Sequence, residues 1–268
     1  MGVAHADDGS DAGSADAGSA AAPGGGSSDD QLVLPKGRAV LDAFLQVNLS
    51  ANEAFKPISV TPDIWYGVSD KLTVGLVHST WGETGFVGTG IGNSLCLSGS
   101  SNGCASVYHT VALDGRYELK RGAWAWAADG GLDVISTSSP FELSLKLGAV
   151  GRWHKDKLAV ELEPALYIAV SHRSADNAMD VQNRDALAVP VTVLYAAAPK
   201  ITLAAQVGLL LPLEDTGDEY DIPLSLGVHY RVNEKLDVGL AFTFVELVGG
   251  GDSGADLRTL TIGASYAF

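Results

Sequence analysis

The sequence of 268 residues predicts an all-β fold, an antiparallel up-and-down barrel of about twelve strands. Three observations predict it. Apolar residues recur at every second position over stretches longer than an ordinary soluble strand, and period two belongs to a strand with unlike faces rather than to a helix. The chain is apolar in bulk, with 46% hydrophobic residues, 18% charged residues and a mean hydropathy of +0.16. Yet it holds no continuous apolar run of the roughly 18 residues that a spanning helix requires. Finally, the connections between the alternating stretches are short and long by turns, and 32 glycines are available to build them.

Residues 1–36 read as a disordered tail and residues 37–268 as the barrel. In the first thirty residues Ala, Gly, Ser and Asp fill 26 positions, no aromatic residue occurs and Val3 is the one β-branched residue. That leaves too little apolar surface to offset the entropy of ordering. Within the tail, Ala4-His5-Ala6 before Asp7 fits the small-x-small pattern of a signal-peptidase site, or an accident of an Ala-rich tract. Six of the 32 acidic residues lie in the first thirty, which hold no Lys or Arg, so 26 acidic residues face 17 basic ones in the remainder. An acidic body of this kind disfavours nucleic acid as a partner, because phosphate binding needs a basic face.

From residue 38 the alternation divides the chain into Arg38–Ser50, Pro57–Val68, Lys71–Ser79, Val107–Leu119, Gly122–Ile135, Pro140–Trp153, Lys157–Ser171, Asp185–Ala197, Lys200–Leu211, Asp221–Val232, Lys235–Leu247 and Leu257–Phe268. Lys235–Leu247 sets Leu236, Val238, Leu240, Phe242 and Phe244 on one face against Asp237, Gly239, Ala241 and Thr243 on the other. Most segments exceed the roughly 9–11 residues with which a tilted strand crosses a bilayer. Ser69-Asp70, Lys120-Arg121, His154–Asp156, Ala198-Pro199 and Asn233-Glu234 are tight turns, whereas Ala51–Lys56, Thr80–Ser106, Ser136–Ser139, His172–Arg184, Pro212–Tyr220 and Val248–Asp256 are mostly longer. Short turns on one rim and long loops on the other are the pattern of a membrane barrel. The second face of each strand is dominated by Gly, Ala, Ser and Thr, which suits the crowded inside of a closed barrel better than the wet face of a sandwich. Closure also removes the edges that long strands would otherwise leave open.

In the long Thr80–Ser106 connection, Cys96 and Cys104 are separated by seven small or flexible residues. Their Cα atoms can reach bridging distance, and closing so short a loop stabilises it by roughly 2–3 kcal/mol on the chain-entropy account. A disulfide and an oxidising compartment follow.

With these residues in view, Arg38–Phe268 resembles the Gram-negative outer-membrane β-barrel proteins, porin-like in type. The chain ends on Phe268 with Tyr266, Ala264, Ile262 and Leu260 at alternate positions before it, which is similar to the assembly signal of that group. The hairpin Tyr66–Leu76 is also similar to hairpins of such barrels. The resemblance implies a bacterial outer-membrane location, recognition of Tyr266 and Phe268 by the barrel-assembly machinery, and a lipid bilayer with lipopolysaccharide as surroundings.

Alternation places a set of ionisable residues inside: Asp63, Asp114, Arg116, Glu118, Asp129, Asp133, Glu142, Lys146, Arg152, Glu161, Glu163, Asp221, His229, Arg231 and Asp237. Expected groupings are Arg116 with Asp129 or Asp133, Glu142 with Lys146 and Arg152, and Glu161 with Glu163. Trp65 shares the parity of Asp63 and is placed with these residues as pore-lining, on a solute path or as a packing wedge. Trp124, Trp126, Trp153, Tyr195 and Tyr230 fall beside the tight turns, as an interfacial girdle would. The surplus of inward carboxylates predicts a channel for passive diffusion of small hydrophilic solutes or ions, weakly preferring cations. The alternative is a closed structural or surface-interaction barrel, adhesin- or receptor-like, acting through residues 80–106. Catalysis is not expected: His78, His109 and His172 lie near the long-loop rim, but Ser79 and Ser171 face away from their neighbouring histidines. No cofactor and no metal site is expected. Asp176, Asp180, Asp185 and Glu214–Asp221 could offer oxygen ligands to calcium, but form no EF-hand pattern and read rather as a solvated acidic face.

Overall fold

The computed structural model describes residues 32–50, 54–79, 95–102, 104, 107–174, 183–214, 220–249 and 254–268. The strands among them, in chain order, are β1 Ala39–Asn48, β2 Ile58–Ser69, β3 Leu72–Val77, β4 Leu95–Cys96, β5 Val111–Lys120, β6 Trp124–Ser136, β7 Glu142–Lys155, β8 Leu158–Leu162, β9 Ala165–Ala169, β10 Ala186–Ala188, β11 Val191–Ala198, β12 Ile201–Val207, β13 Leu210–Pro212, β14 Asp221–Arg231, β15 Leu236–Gly249 and β16 Arg258–Ala267. Each pairs antiparallel with its neighbours, and β1 bonds both β2 and β16, so the sheet closes on itself. Strand β7 pairs with both β8 and β9, and β14 with both β12 and β13, so β8–β9, β10–β11 and β12–β13 are each one stave of a twelve-stave barrel.

The three interrupted staves correct the continuous strands expected over Lys157–Ser171, Asp185–Ala197 and Lys200–Leu211. Pro164 and Pro190 sit at two of the breaks, and a proline has no N–H to give the ladder. Their carbonyls stay in use: Ala149 N donates to Pro164 O at 3.0 Å, Glu163 N to Pro190 O at 3.2 Å and Gly208 N to Pro223 O at 3.3 Å. One line of weakened pairing therefore crosses four neighbouring staves.

The two faces differ as alternation requires. Ile64, Leu76, Leu113 and Leu132 stand side by side across β2, β3, β5 and β6 and point outward, where all are about half exposed. An outer surface this apolar over neighbouring strands needs a nonaqueous partner. Inward lie Asp42, Gln46 and Asn48 of β1, Thr202 and Gln206 of β12, and Thr259 and Thr261 of β16, all buried. Trp124 and Trp153 are paired across β6 and β7 beside the tight turns, with ring centroids 6.1 Å apart.

Two segments expected to be irregular carry structure. Within the Thr80–Ser106 connection, β4 pairs with β2 beyond the end of β3, a short 3-10 turn covers Ser100–Asn102, and Cys96 and Cys104 are joined by a disulfide with Cα atoms 5.8 Å apart. Residues 80–94 lie outside the described residues, and with them the expectation about which way this loop folds. At the other end, Leu32, Val33 and Leu34, which the sequence assigns to the tail, are buried inside the short-turn end of the barrel.

Candidate functional site

The site is an inner-wall network built where large and absent side chains alternate across neighbouring strands. The cross-strand row Trp65 (β2), Gly75 (β3), Asp114 (β5), Gly131 (β6), Lys146 (β7) and Tyr167 (β9) is continuous. Gly131 is what lets β7 reach β5: a Cβ there would stand on the Asp114 carboxylate and 3.0 Å from Asp114 Cα. Through that gap Lys146 Nζ meets Asp114 Oδ2 at 2.7 Å, and it meets Asp129 Oδ2 at 2.8 Å. Arg116 Nε bonds Asp129 Oδ1 at 3.3 Å and Nη2 reaches Glu163 Oε1 at 3.6 Å. The Arg116 guanidinium also lies 5.1 Å from the Trp65 ring centre, a cation–π contact made possible because Gly75 leaves the ring room to lie down. Removing these charges from water is costly unless each finds a partner, and both cations here have two carboxylates.

Two of the expected pairings are corrected. Lys146 and Arg152 do not gather on Glu142: Lys146 binds Asp114 and Asp129, and Arg152 Nε binds Glu161 Oε1 at 2.6 Å. The reason is distance, since residues four apart along a strand are separated by about 13 Å whereas cross-strand neighbours are about 5 Å apart. Arg116 takes Asp129 and Glu163; Asp133 stands next to Ser144 in the β6–β7 register and is buried. Glu118 is bonded by Arg121, which also donates to Asp70 O and so ties two tight turns together. Arg231 Nε lies 3.5 Å from Asp237 Oδ1 on the next strand, and His229 is buried two residues before Arg231. Glu142 is half-buried at the start of β7.

Asp63 accepts the backbone N–H of His78 at 2.6 Å and of Ser79 at 3.1 Å, and also the Ser79 hydroxyl. Ser171 Oγ donates to Phe141 O at 2.9 Å and accepts Leu143 N at 2.8 Å. Both serines are thus held by a carboxylate or the backbone, and His78 turns its Nε2 to the Tyr108 hydroxyl at 2.9 Å. On the long-loop rim Arg173 forks onto Asp185 at 2.7 and 3.1 Å, and this hydrogen bonding holds the Asp185 carboxyl below its ordinary range. Asp176, Asp180 and residues 215–219, the other supposed calcium ligands, lie outside the described residues; among those described no cluster able to hold a metal is found.

Asp42 is a further inward charge, beyond those expected from the sequence. It faces Asp63 across β1 and β2, is buried, and its Oδ1 has no hydrogen-bond partner among the described residues. The run Val40, Asp42, Phe44, Gln46 carried the signal, because its parity is uniform and places Asp42 inside. Tyr266 and Phe268 stand on the outer face, their rings edge to face at 4.9 Å.

With the barrel and its inner wall established, solved structures give the comparison. The KdgM porin superposes with a TM-score of 0.56 over 85% of this chain and 99% of that one, at 11% identity. Its fold is that of the outer-membrane β-barrels. The KdgM porin in complex with disordered oligogalacturonate gives a TM-score of 0.53 with the same coverage and identity. The outer membrane phospholipase A from Escherichia coli covers 87% of this chain and 94% of its own at 12% identity, with a TM-score of 0.45. No family model and no curated protein matches the sequence.

Proposed function

We propose that the protein is a bacterial outer-membrane channel for passive diffusion of small hydrophilic solutes or ions, with a weak preference for cations. The observation that carries this is the charge balance of the inner wall. Arg116, Lys146, Arg152 and Arg231 each lie against at least one carboxylate, and Asp42, Asp63 and Asp133 are buried on the same wall in addition. Surplus negative charge in a confined passage favours cations and repels anions. A polyanion such as the oligogalacturonate of the KdgM complex is therefore a poor solute for this wall, although the barrels share a fold. The apolar belt faces lipid and lipopolysaccharide, the short turns lie on the periplasmic side, and Tyr266 and Phe268 are read by the barrel-assembly machinery during insertion. The engagement of Ser79 and Ser171 elsewhere supports a reading without catalysis.

The test is the reversal potential of purified protein in planar bilayers under a salt gradient. A cation-selective shift is expected. Anion selectivity overturns the reading, as does the absence of conductance from both the native chain and its Gly67→Val variant. One observation favours the second reading, a closed barrel acting through residues 80–106: Lys146, Asp114 and Asp129 are almost wholly shielded from water. Deleting residues 80–94 separates the two, because a channel changes its conductance whereas a receptor loses a binding partner with no conductance to lose.

A further inference from the structure

We infer that Leu32-Val33-Leu34-Pro35 is an inhibitory strap that closes the short-turn mouth of the barrel and must leave its seat for solute to pass. The inference rests on the channel reading for its consequence, but the seat itself stands on geometry.

Polar side chains line much of the inner wall, and this segment lies against two of its apolar patches. Leu34 shares a buried apolar cluster with Val40, Trp65, Val77 and Ala112, and Leu32 a second with Ala125, Ala127 and Val150. Ala125 and Ala127 are fully shielded on the inward face of β6, where a wide aqueous passage would leave them wet. The segment thus spans from the wall of β2 and β3 to the wall of β6 and β7, and both patches that it meets are apolar. Hydrogen bonds fix its register: Leu34 N donates to Thr73 Oγ1 at 2.7 Å, and Lys36 N to Asp70 Oδ1 at 3.0 Å.

Gly67 is the floor of the seat. A Cβ at this position would meet the Pro35 carbonyl oxygen and lie 2.7 Å from Leu34 O, both of them backbone atoms that cannot swing aside. Beyond the seat the chain reverses through Lys36-Gly37, where Gly37 has φ of +80° and open space around it, and enters β1. The left-handed glycine makes this turn a ready hinge. The segment is held by three apolar side chains, Leu32, Val33 and Leu34, and by bonds to one threonine hydroxyl and one aspartate carboxylate, few enough for reversible release.

The test uses the full chain carrying Ala125→Cys, a thiol placed under Leu32, with the native cysteines joined in their disulfide. A charged, membrane-impermeant maleimide reports whether the seat is covered, and bilayer conductance reports passage. Displacement is achieved from the wall by Gly67→Val and, independently, from the strap by Leu32→Ser with Leu34→Ser. Heat-modifiable migration selects variants that fold. Either displacement is expected to speed labelling about tenfold or more, as for a site released from a closed state, and to raise conductance. Unchanged labelling in both folded variants removes the strap. Faster labelling with unchanged conductance in a conducting barrel shows that the segment does not close the mouth. Faster labelling with no conductance from any chain leaves the strap seated as described and overturns the channel reading instead.

Discussion

At the scale of the residue, the inner wall depends on where single charges find partners. Lys146 joins Asp114 to Asp129, so Lys146→Met leaves two buried carboxylates facing each other and is expected to cost about 3–5 kcal/mol, the usual penalty for breaking a buried pair from one side. Denaturant unfolding in detergent measures it, and Asp114→Asn added to Lys146→Met should recover part of the loss. Among the described residues no cation bridges Asp42 and its Oδ1 is unbonded, so Asp42→Asn is expected to leave the fold intact and lower the cation preference read from the reversal potential. Asp185 gives a pH dependence. Its carboxyl is held low by Arg173, so its contribution is complete above the ordinary carboxylate range and is lost as pH falls through the depressed value. Hydrogen-exchange protection of the Ala169 amide, which donates to Asp185 Oδ1 at 2.8 Å, should weaken on acidification, and Asp185→Asn should abolish that pH dependence.

At the scale of the element, alternation gives the strands and their faces, while the prolines decide where a stave breaks. Gly148 lies opposite one such break, and a side chain there would press on the Pro164 carbonyl at 2.7 Å and on Ala165 Cβ at 3.0 Å. Gly148→Val is expected to destabilise the β7–β9 pairing by about 1–3 kcal/mol, as overpacking against backbone does, and to reduce the refolding yield in detergent. The inward parity of Asp63, Arg116, Asp129 and Lys146 was legible in the sequence because a strand has only two faces. The Arg116–Asp129 pair was legible too, but the partners of Lys146 were not, since reading neighbours along one strand favoured Glu142, whereas cross-strand register and the gap at Gly131 deliver Asp114. The breaks at Pro164 and Pro190 were legible in principle, but a strong apolar alternation on both sides masked them.

At the scale of the molecule, closure turns an apolar sequence into an object with an apolar outside and an acidic inside. The chain ends at the short-turn rim, where Phe268 N donates to Ala39 O at 2.9 Å and Arg38 Nη1 approaches Phe268 O at 3.3 Å. On the proposed role of Tyr266 and Phe268 in assembly, deleting Phe268 is expected to lower insertion into the outer membrane while refolding into detergent continues, because its ring is exposed. Cell fractionation beside in vitro refolding separates the two effects.

The amino-acid order alone determined that this chain is a barrel of about twelve staves whose strands have two unlike faces, because period two and loop lengths are local properties. Only the tertiary structure decided which charges meet, that Asp42 faces Asp63, and that Leu32–Pro35 seats inside the mouth. Those outcomes depend on register between strands distant in sequence and on glycines that leave room across a neighbouring strand. A hydrophobic trio at the end of a polar tail has no period of its own, and it acquires meaning only when the wall opposite it proves to be apolar.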